Sequence, residues 1–332
     1  MQITIRQLEI FAAIYQEGSI TRAAQRIGLS QAATSQALAE LENQLQRRLF
    51  DRHGRRIVGN AAGRDLLPAA IQVLDHVRDI EAGAGRSRLD FKLYASLTVG
   101  NYMLPSLIAR FSRRHPDARF HLAIGNTEHV AASVRQFESD AGWIEGFVRL
   151  PDLQAIPWRE DKLVIIAAPG HPLAGRRATE AALADARWVL RETGSGTRAV
   201  FEDAVKGRFA LAHVPLELGG IGAIKRAVMS GAGLGCISRS AVEPELASGQ
   251  LRRVYASWLD LRRQITLLVH QQKYIDRGLR EFLRYCGVEL PVQRQQVMHG
   301  QGPQRVQNHA RILPAQQQQN KRELADLDTP IE

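Results

Sequence analysis

Cysteine is almost absent from the chain. Cys236 and Cys286 are the two in 332 residues, too few for a disulfide framework, and this fits a reducing compartment. Long apolar runs are missing as well: the strongest is "LVIIAAP" at residues 163–169, far short of the roughly 20 residues a membrane-crossing helix needs. The opening "MQITIRQLEIF" breaks its apolar pattern with charge and offers no apolar block before a small-residue cleavage site, so a cytoplasmic protein without membrane contact is expected. The ten histidines are scattered, with no H-E-x-x-H and no C-x-x-C, so neither a metal nor a cofactor is expected. "GAGLG" at 231–235 follows a helical pattern and precedes a strand, the reverse of a dinucleotide-binding loop. "SGT" at 195–197 lacks the G-x-S-x-G elbow, and no base is placed for it, so enzymatic turnover is not expected.

What is present is an ordinary globular composition, 45% apolar and 23% charged, at a length that divides into two or three domains. A net charge of +10 attracts polyanions, nucleic acid first among them. Paired arginines at 47–48, 55–56, 113–114, 176–177, 252–253 and 262–263 read as solvated surface unless structure gives them a role.

Residues 18–42, "GSITRAAQRIGLSQAATSQALAELE", hold two short helical patterns broken at Gly28-Leu29-Ser30. Ser19 and Ser30 are placed to cap the two helices, and Gly28 to supply a left-handed turn. Ala23, Ala24, Ile27, Leu29, Ala33, Ala37 and Leu41 are spaced to bury one face, and Thr34 falls in the core. Gln31, Ala32, Ser35 and Gln36 are left outward on the start of the second helix, the part that enters the major groove in a helix-turn-helix. Glutamine can read adenine edges and serine is permissive. Arg22, Arg52, Arg55 and Arg56, the last three in the wing-like "RRLFDRHGRRIV", would meet phosphate. The competing interpretation is a helical hairpin with a polar surface.

From Asn60 to Ala82 one long helix is expected, with Pro68 in its first turns and Leu67, Ile71, Leu74 and Val77 as a stripe wanting a partner helix. "AGAGRSR" at 82–88 reads as a hinge. Strands and helices then alternate from Leu89 in two similar α/β series, which predicts largely parallel sheets facing each other across a cleft. After Pro291 the chain turns glutamine-rich and too poor in apolar residues to pack, so disorder is expected.

"LEIFAAIYQEGSITRAAQRIGLSQAATSQALAELENQLQRRLFDR" resembles the winged helix-turn-helix of LysR-type transcriptional regulators. The likeness runs from about Leu8 to Gly287 through "GNYMLPSLIARFSRRHP", "DKLVIIAAPGHPLA", "RETGSGTRAVFE" and "GAGLGCISRSAVEPEL". It implies an α/β chain in four parts: a winged helix-turn-helix over 1–60, a dimerising linker helix and hinge over 61–88, a periplasmic-binding-protein-like effector module over 89–290, and the tail at 291–332. Subdomain I of the module would hold 89–160 and 265–290, subdomain II 161–264, with hinge strands near 161–163 and 263–265. The implied partners are double-stranded DNA carrying an interrupted palindrome, a small effector, and further copies of the chain in a dimer of dimers. The departures are these: Ala32 and Gln36 replace a frequent Pro and Arg, Thr34 replaces a usual Val or Ile, Gln46 replaces a frequent Gly, and Phe137 interrupts the usual glycine before the "D-x-G" strand.

The effector residues follow from both arguments. Ser96 and Thr98 lie at the end of the first effector strand, before a helix expected near Tyr102 or Pro105, where hydroxyls and free N–H groups bind anions; in similar regulators such hydroxyls contact the inducer. Asn126 follows the next strand. Ser195, Gly196 and Thr197 open a helix on the opposite wall, and Glu145 either orients a ligand or pairs with Arg191. The competing roles are helix capping for Ser96 and Thr98 and a flexible loop for 195–197. Such a pocket suits an oxyanion or carboxylate, and the resemblance tilts toward sulfur, nitrogen or carbon-fixation metabolism. A periplasmic-type ligand-binding protein without DNA readout is the alternative function.

Overall fold

The computed structural model describes residues 2–54, 56–83, 89–146 and 150–290. Arg55, most of the expected hinge, and the tail at 291–332 lie outside the described residues.

The chain opens with α1 (Ile5–Glu17), α2 (Ile20–Ile27) and α3 (Gln31–Leu45), then a hairpin of β1 (Phe50–His53) and β2 (Arg56–Gly59). Local chemistry sets each boundary. Thr4 and Gln7 form a reciprocal cap on α1. The hydroxyls of Ser19 and Ser30 accept from the N–H groups of Arg22 and Ala33, satisfying donors that the first turn leaves free. Gly28 turns left-handed at φ 70°, which lets α3 start three residues later. Phe11, Ile14, Ala23, Leu38 and Leu41 form the core of this unit. Thr34 is buried, and its hydroxyl donates to the Ser30 carbonyl one turn back at 2.9 Å. The expected apolar face needs correction: Ala33 is exposed, and Ile27, Leu29 and Ala37 are only half-buried.

Among the described residues Gln46 (φ 54°) and Phe137 (φ 55°) are the non-glycine residues with left-handed backbone. These are the two places where a glycine of the resembled family is replaced. The turn survives the replacement, at a cost of about 1–2 kcal/mol per residue.

The long helix α4 (Ala61–Ala82) is capped by Asn60, whose side-chain Oδ1 accepts from Gly63 N–H. Pro68 is not in the first turn; it sits inside the helix. The stripe expected to await a partner helix is occupied by this chain itself: Leu67, Ile71 and Leu74 pack into the same core as Ile10, Phe11 and Phe137, and Val77 is half-buried. The exposed apolar residues of α4 are Val73 (43%) and Ile80 (77%), on a different face.

The remaining elements alternate as expected: β3 (Asp90–Ser96), α5 (Leu97–Tyr102), α6 (Leu104–Arg114), β4 (Arg119–Gly125), α7 (Thr127–Arg135), β5 (Ala141–Glu145) and the long β6 (Leu153–Ala167). There follow α8 (Glu180–Ala184), β7 (Arg187–Arg191), α9 (Gly196–Val205), β8 (His213–Leu218), α10 (Ile221–Met229), β9 (Leu234–Ser238), α11 (Glu243–Ala247), β10 (Arg252–Val254), β11 (Arg262–His270) and α12 (Arg277–Tyr285). The helix after β3 starts at Leu97, earlier than the sequence suggested, directly after Ser96 and without a side-chain cap.

The strands run β4-β3-β5-β11-β6-β9-β7-β8, with β10 on β6. β3 lies parallel to β4 and β5, and β7 parallel to β8 and β9. The antiparallel pair β6 and β11 joins the two halves: residues 153–162 of β6 face β11, and 163–166 face β9. One half is filled by Phe91, Phe111, Trp143 and Phe282, the other by Trp188, Leu190 and Phe201. The carboxyl ends of the parallel strands of both halves meet at the crossing strands, the position at which open α/β sheets bind ligands.

Candidate functional site

On α3, Gln31, Ala32 and Gln36 are exposed and Ser35 is half-buried, while Thr34, Leu38 and Leu41 of the same helix are buried. The amino-terminal turn therefore presents short polar side chains outward from a fixed base. Gln31 makes no described side-chain bond, whereas Gln36 donates to Glu40 at 3.0 Å. Arg52 and Arg56 are exposed on the hairpin. Arg22 is committed elsewhere: its guanidinium donates to the Glu17 carbonyl and lies 3.6 Å from the Glu17 carboxylate, so it reaches a phosphate only by turning away from α1.

In the effector module the two halves are in direct contact. Arg263, at the start of β11, has a guanidinium only 1% exposed. It donates to Thr98 Oγ1 at 3.1 Å in one half and to Thr197 Oγ1 at 2.8 Å in the other. Its Nε donates to Asp161 Oδ2 at 2.7 Å, and Ser238 holds the second Asp161 oxygen at 2.8 Å. Gly196 completes the closure. An added Cβ there would lie 2.3 Å from the Glu145 carbonyl oxygen, so only glycine allows the start of α9 to lie this close to β5, and its N–H donates to Thr127 Oγ1 at 3.2 Å.

The seven expected effector residues thus separate into two groups. Thr98 and Thr197 are engaged by Arg263, Gly196 N–H by Thr127, and Asn126 caps α7 by accepting from His129 N–H. Ser96, Ser195 and Glu145 are buried without a hydrogen bond from their side chains; Ser96 caps nothing, although capping was the competing role for it. Glu145 does not pair with Arg191, which binds the adjacent Glu192 at 2.7 Å. Its Oε1 instead lies 3.7 Å from Arg263 Nη2, an ionic contact too long for a hydrogen bond. Nor is 195–197 a free loop, since all three residues are buried at the start of α9. Glu145, Ser195 and Gly196 line a cavity of about 540 Å³, together with Thr127, Glu128, Arg198 and Glu202. Ser96, Thr98 and Thr197 are not part of that lining.

Sequence reasoning missed Arg263, Asp161 and Thr127 as site residues. In the sequence Arg263 reads as one of the surface arginine pairs and as part of a hinge. Its signal was its phase: it shares the alternate positions of β11 with the buried Ile265, so its side chain follows the inward face. Cys236 and Cys286 are both buried. Burial pushes both thiols up, Cys286 to about 12, which holds them in the protonated form that reacts least with oxidants.

A helix-turn-helix with a hairpin wing, joined by a long helix to a two-lobed ligand-binding module, defines the class: a DNA-binding protein whose second part senses a small molecule. Residues 5–64 match the bacterial regulatory helix-turn-helix of the lysR family, and residues 84–290 match the LysR substrate binding domain. The chain belongs to the LysR family of transcriptional regulators. It is 41% identical over 286 residues, 86% of this chain and 98% of the relative, to the uncharacterized HTH-type transcriptional regulator YeiE of Escherichia coli K12. A RuBisCO operon transcriptional regulator of Allochromatium vinosum is 31% identical, with 86% and 96% of the two chains covered. Among solved structures, the regulatory domain of Synechocystis CcmR in complex with 2-PG covers 59% of this chain and 95% of its own, at 28% identity and a TM-score of 0.55. The match over 5–64 removes the alternative of a ligand-binding protein without a DNA-binding unit.

Proposed function

We propose that α3 enters the major groove, with Gln31, Ala32, Ser35 and Gln36 at base edges and Arg22, Arg52, Arg55 and Arg56 on flanking phosphates. The observation that carries this reading is the split of one helix into a buried side and an exposed amino-terminal turn. Two such helices on a dimer would read an interrupted palindrome, and two dimers would form a tetramer. Val73 and Ile80, exposed on α4, support pairing through that helix. A DNA reader of this kind works in the cytoplasm as a regulator and performs no turnover. The division into 1–60, 61–88 and 89–290 is part of the same reading.

The effector in this reading is a small oxyanion or carboxylate held between the halves. Ser195, on the lining, offers a donor to its acidic group, and Ser96 and Arg263 would offer theirs when the halves part. Glu145, an acceptor without a donor, requires a hydroxyl or other O–H or N–H on the same molecule. The carboxylates of Glu128 and Glu202 on the lining disfavour a larger polyanion. The relatives named for the RuBisCO operon and for a complex with 2-PG support carbon metabolism as the setting. Ligand binding would shift the balance between closed and open halves only by its difference in affinity for the two.

Selection of bound genomic fragments by the full chain, with and without small hydroxy-carboxylates, tests both parts. Enrichment of an interrupted palindrome, altered by one of these anions, is expected. Equal affinity for selected and random duplexes at physiological salt would overturn the DNA readout.

A further inference from the structure

The arginine pairs at 176–177 and 252–253 serve neither the DNA-reading helix nor the cleft. Folding brings them side by side. Gly175 N–H donates to the Arg253 carbonyl and Tyr255 N–H to the Arg176 carbonyl, each at 2.9 Å, and Arg177 and Tyr255 form a parallel bridge. Beside β10, which pairs with β6, opens a cavity of about 260 Å³. Val164, Leu246 and Leu251 give it an apolar floor, and Arg239, Arg252 and Arg253 wall it.

The lining holds three arginines and one carboxylate, Glu243. Arg239 takes that carboxylate, with Nε at 3.0 Å. Among the described residues neither Arg252 nor Arg253 has a carboxylate within ion-pair distance. Arg253 is the informative one. Its guanidinium lies over the Tyr255 ring, 5.0 Å from the centroid, and its Nε is buried with no hydrogen-bond partner. With no carboxylate partner, the terminal N–H groups of Arg253 are left for an acceptor-only ligand. The planar fork of arginine matches tetrahedral oxyanions in a bidentate manner. The cavity is smaller than the roughly 300–1,000 Å³ that encloses a drug-sized molecule, so a phosphate-sized group fits where a nucleotide does not.

We propose that this cavity is a second anion site, separate from the cleft between the halves, and that it takes a phosphate-class oxyanion, free or as the phosphoryl end of a small metabolite. The same chemistry exists on a DNA backbone, so the test separates the two sources. Full-length protein is titrated calorimetrically with inorganic phosphate at constant ionic strength. Saturable binding is expected, weakened at least tenfold by Arg253→Gln, partly retained by Arg253→Lys, and changed less than twofold by Arg113→Gln on the exposed end of α6. Matched thermal melts of the variants establish that each is folded. No saturable binding to the parent protein, or equal affinity in Arg253→Gln, overturns the proposal. A silent phosphate titration combined with a flatter salt dependence of Arg253→Gln on a random-sequence duplex also overturns it, by placing these arginines on DNA.

Discussion

Lys273 Nζ lies 2.6 Å from the Asp75 carboxylate of α4, across 198 residues of chain. Asp140, just before β5, stands 2.9 Å from the same ammonium. Burial alone pushes the Lys273 ammonium down, but Asp140 and Asp75 outweigh it, and its pKa lies above that of an ordinary lysine. The lysine joins the helix that carries the DNA-binding unit to the effector module, with Gln16 of α1 donating to the Phe137 carbonyl at 3.1 Å nearby. Removing the ammonium leaves the buried Asp75 with less compensation, although Arg78 stays 3.2 Å from its carboxylate, so Lys273→Met is expected to lose about 1–3 kcal/mol of stability. The double variant Lys273→Met/Asp75→Asn should recover part of that loss in denaturant unfolding. No recovery would show that the two residues do not act as a pair.

Arg263 bridges the halves of the effector module. Arg263→Ala leaves Asp161 without its guanidinium and is expected to cost about 3–5 kcal/mol. Arg263→Lys keeps the charge but cannot span Thr98, Thr197 and Asp161 at once, and should lose less. Thermal unfolding of the two variants ranks them, and equal melting temperatures would show that the bridge adds nothing to charge alone.

Closure depends on Gly196. In Gly196→Ala the new methyl group meets the Glu145 carbonyl at 2.3 Å, and the rigid backbone on both sides must shift. The expected outcome is a loss of about 1–3 kcal/mol and a larger radius of gyration in solution scattering. An unchanged scattering profile with unchanged stability would mean that the halves yield freely at this contact.

Base reading and phosphate contact separate cleanly by mutation. Gln31→Ala should change the preferred base at one position by about 1–3 kcal/mol. Arg56→Ala should weaken all duplexes alike and reduce the salt slope by about 1. Identical effects of the two variants on every sequence would contradict base readout by Gln31.

The junction also carries a pH dependence. Burial lowers the pKa of His270 from 6.5, with nearby Arg135 acting in the same direction and Asp152 against it. Its Nδ1 accepts from Gln272 N–H at 3.1 Å, and its ring lies 4.1 Å from that of Phe137. The unfolded chain takes up a proton on this residue as pH falls through 6.5, whereas the folded chain resists until lower pH. Stability from this group is therefore present above 6.5 and lost as pH falls from there toward the folded pKa. His270→Gln should shrink the drop in melting temperature between about pH 7.5 and about pH 5.5. An unchanged drop would assign it to other groups.

The sequence by itself determined what depends on near neighbours. Ser19, Gly28 and Ser30 are readable because a cap or a left-handed turn involves residues three or four positions apart, and the two helices of the reading motif follow from them. Alternation of apolar runs gave the strand and helix order of the effector module for the same reason. Only the tertiary structure decided which polar residues are spent and which are free. Thr98 and Ser96 are two residues apart and look alike in sequence; an arginine 165 positions further along engages one and leaves the other unpartnered. The stripe on α4 was visible, but not that α1 of the same chain covers it. Hydrogen bonds and ion pairs across such separations depend on how the halves dock, and residue spacing holds no record of that docking because chain length between partners carries almost no geometric constraint.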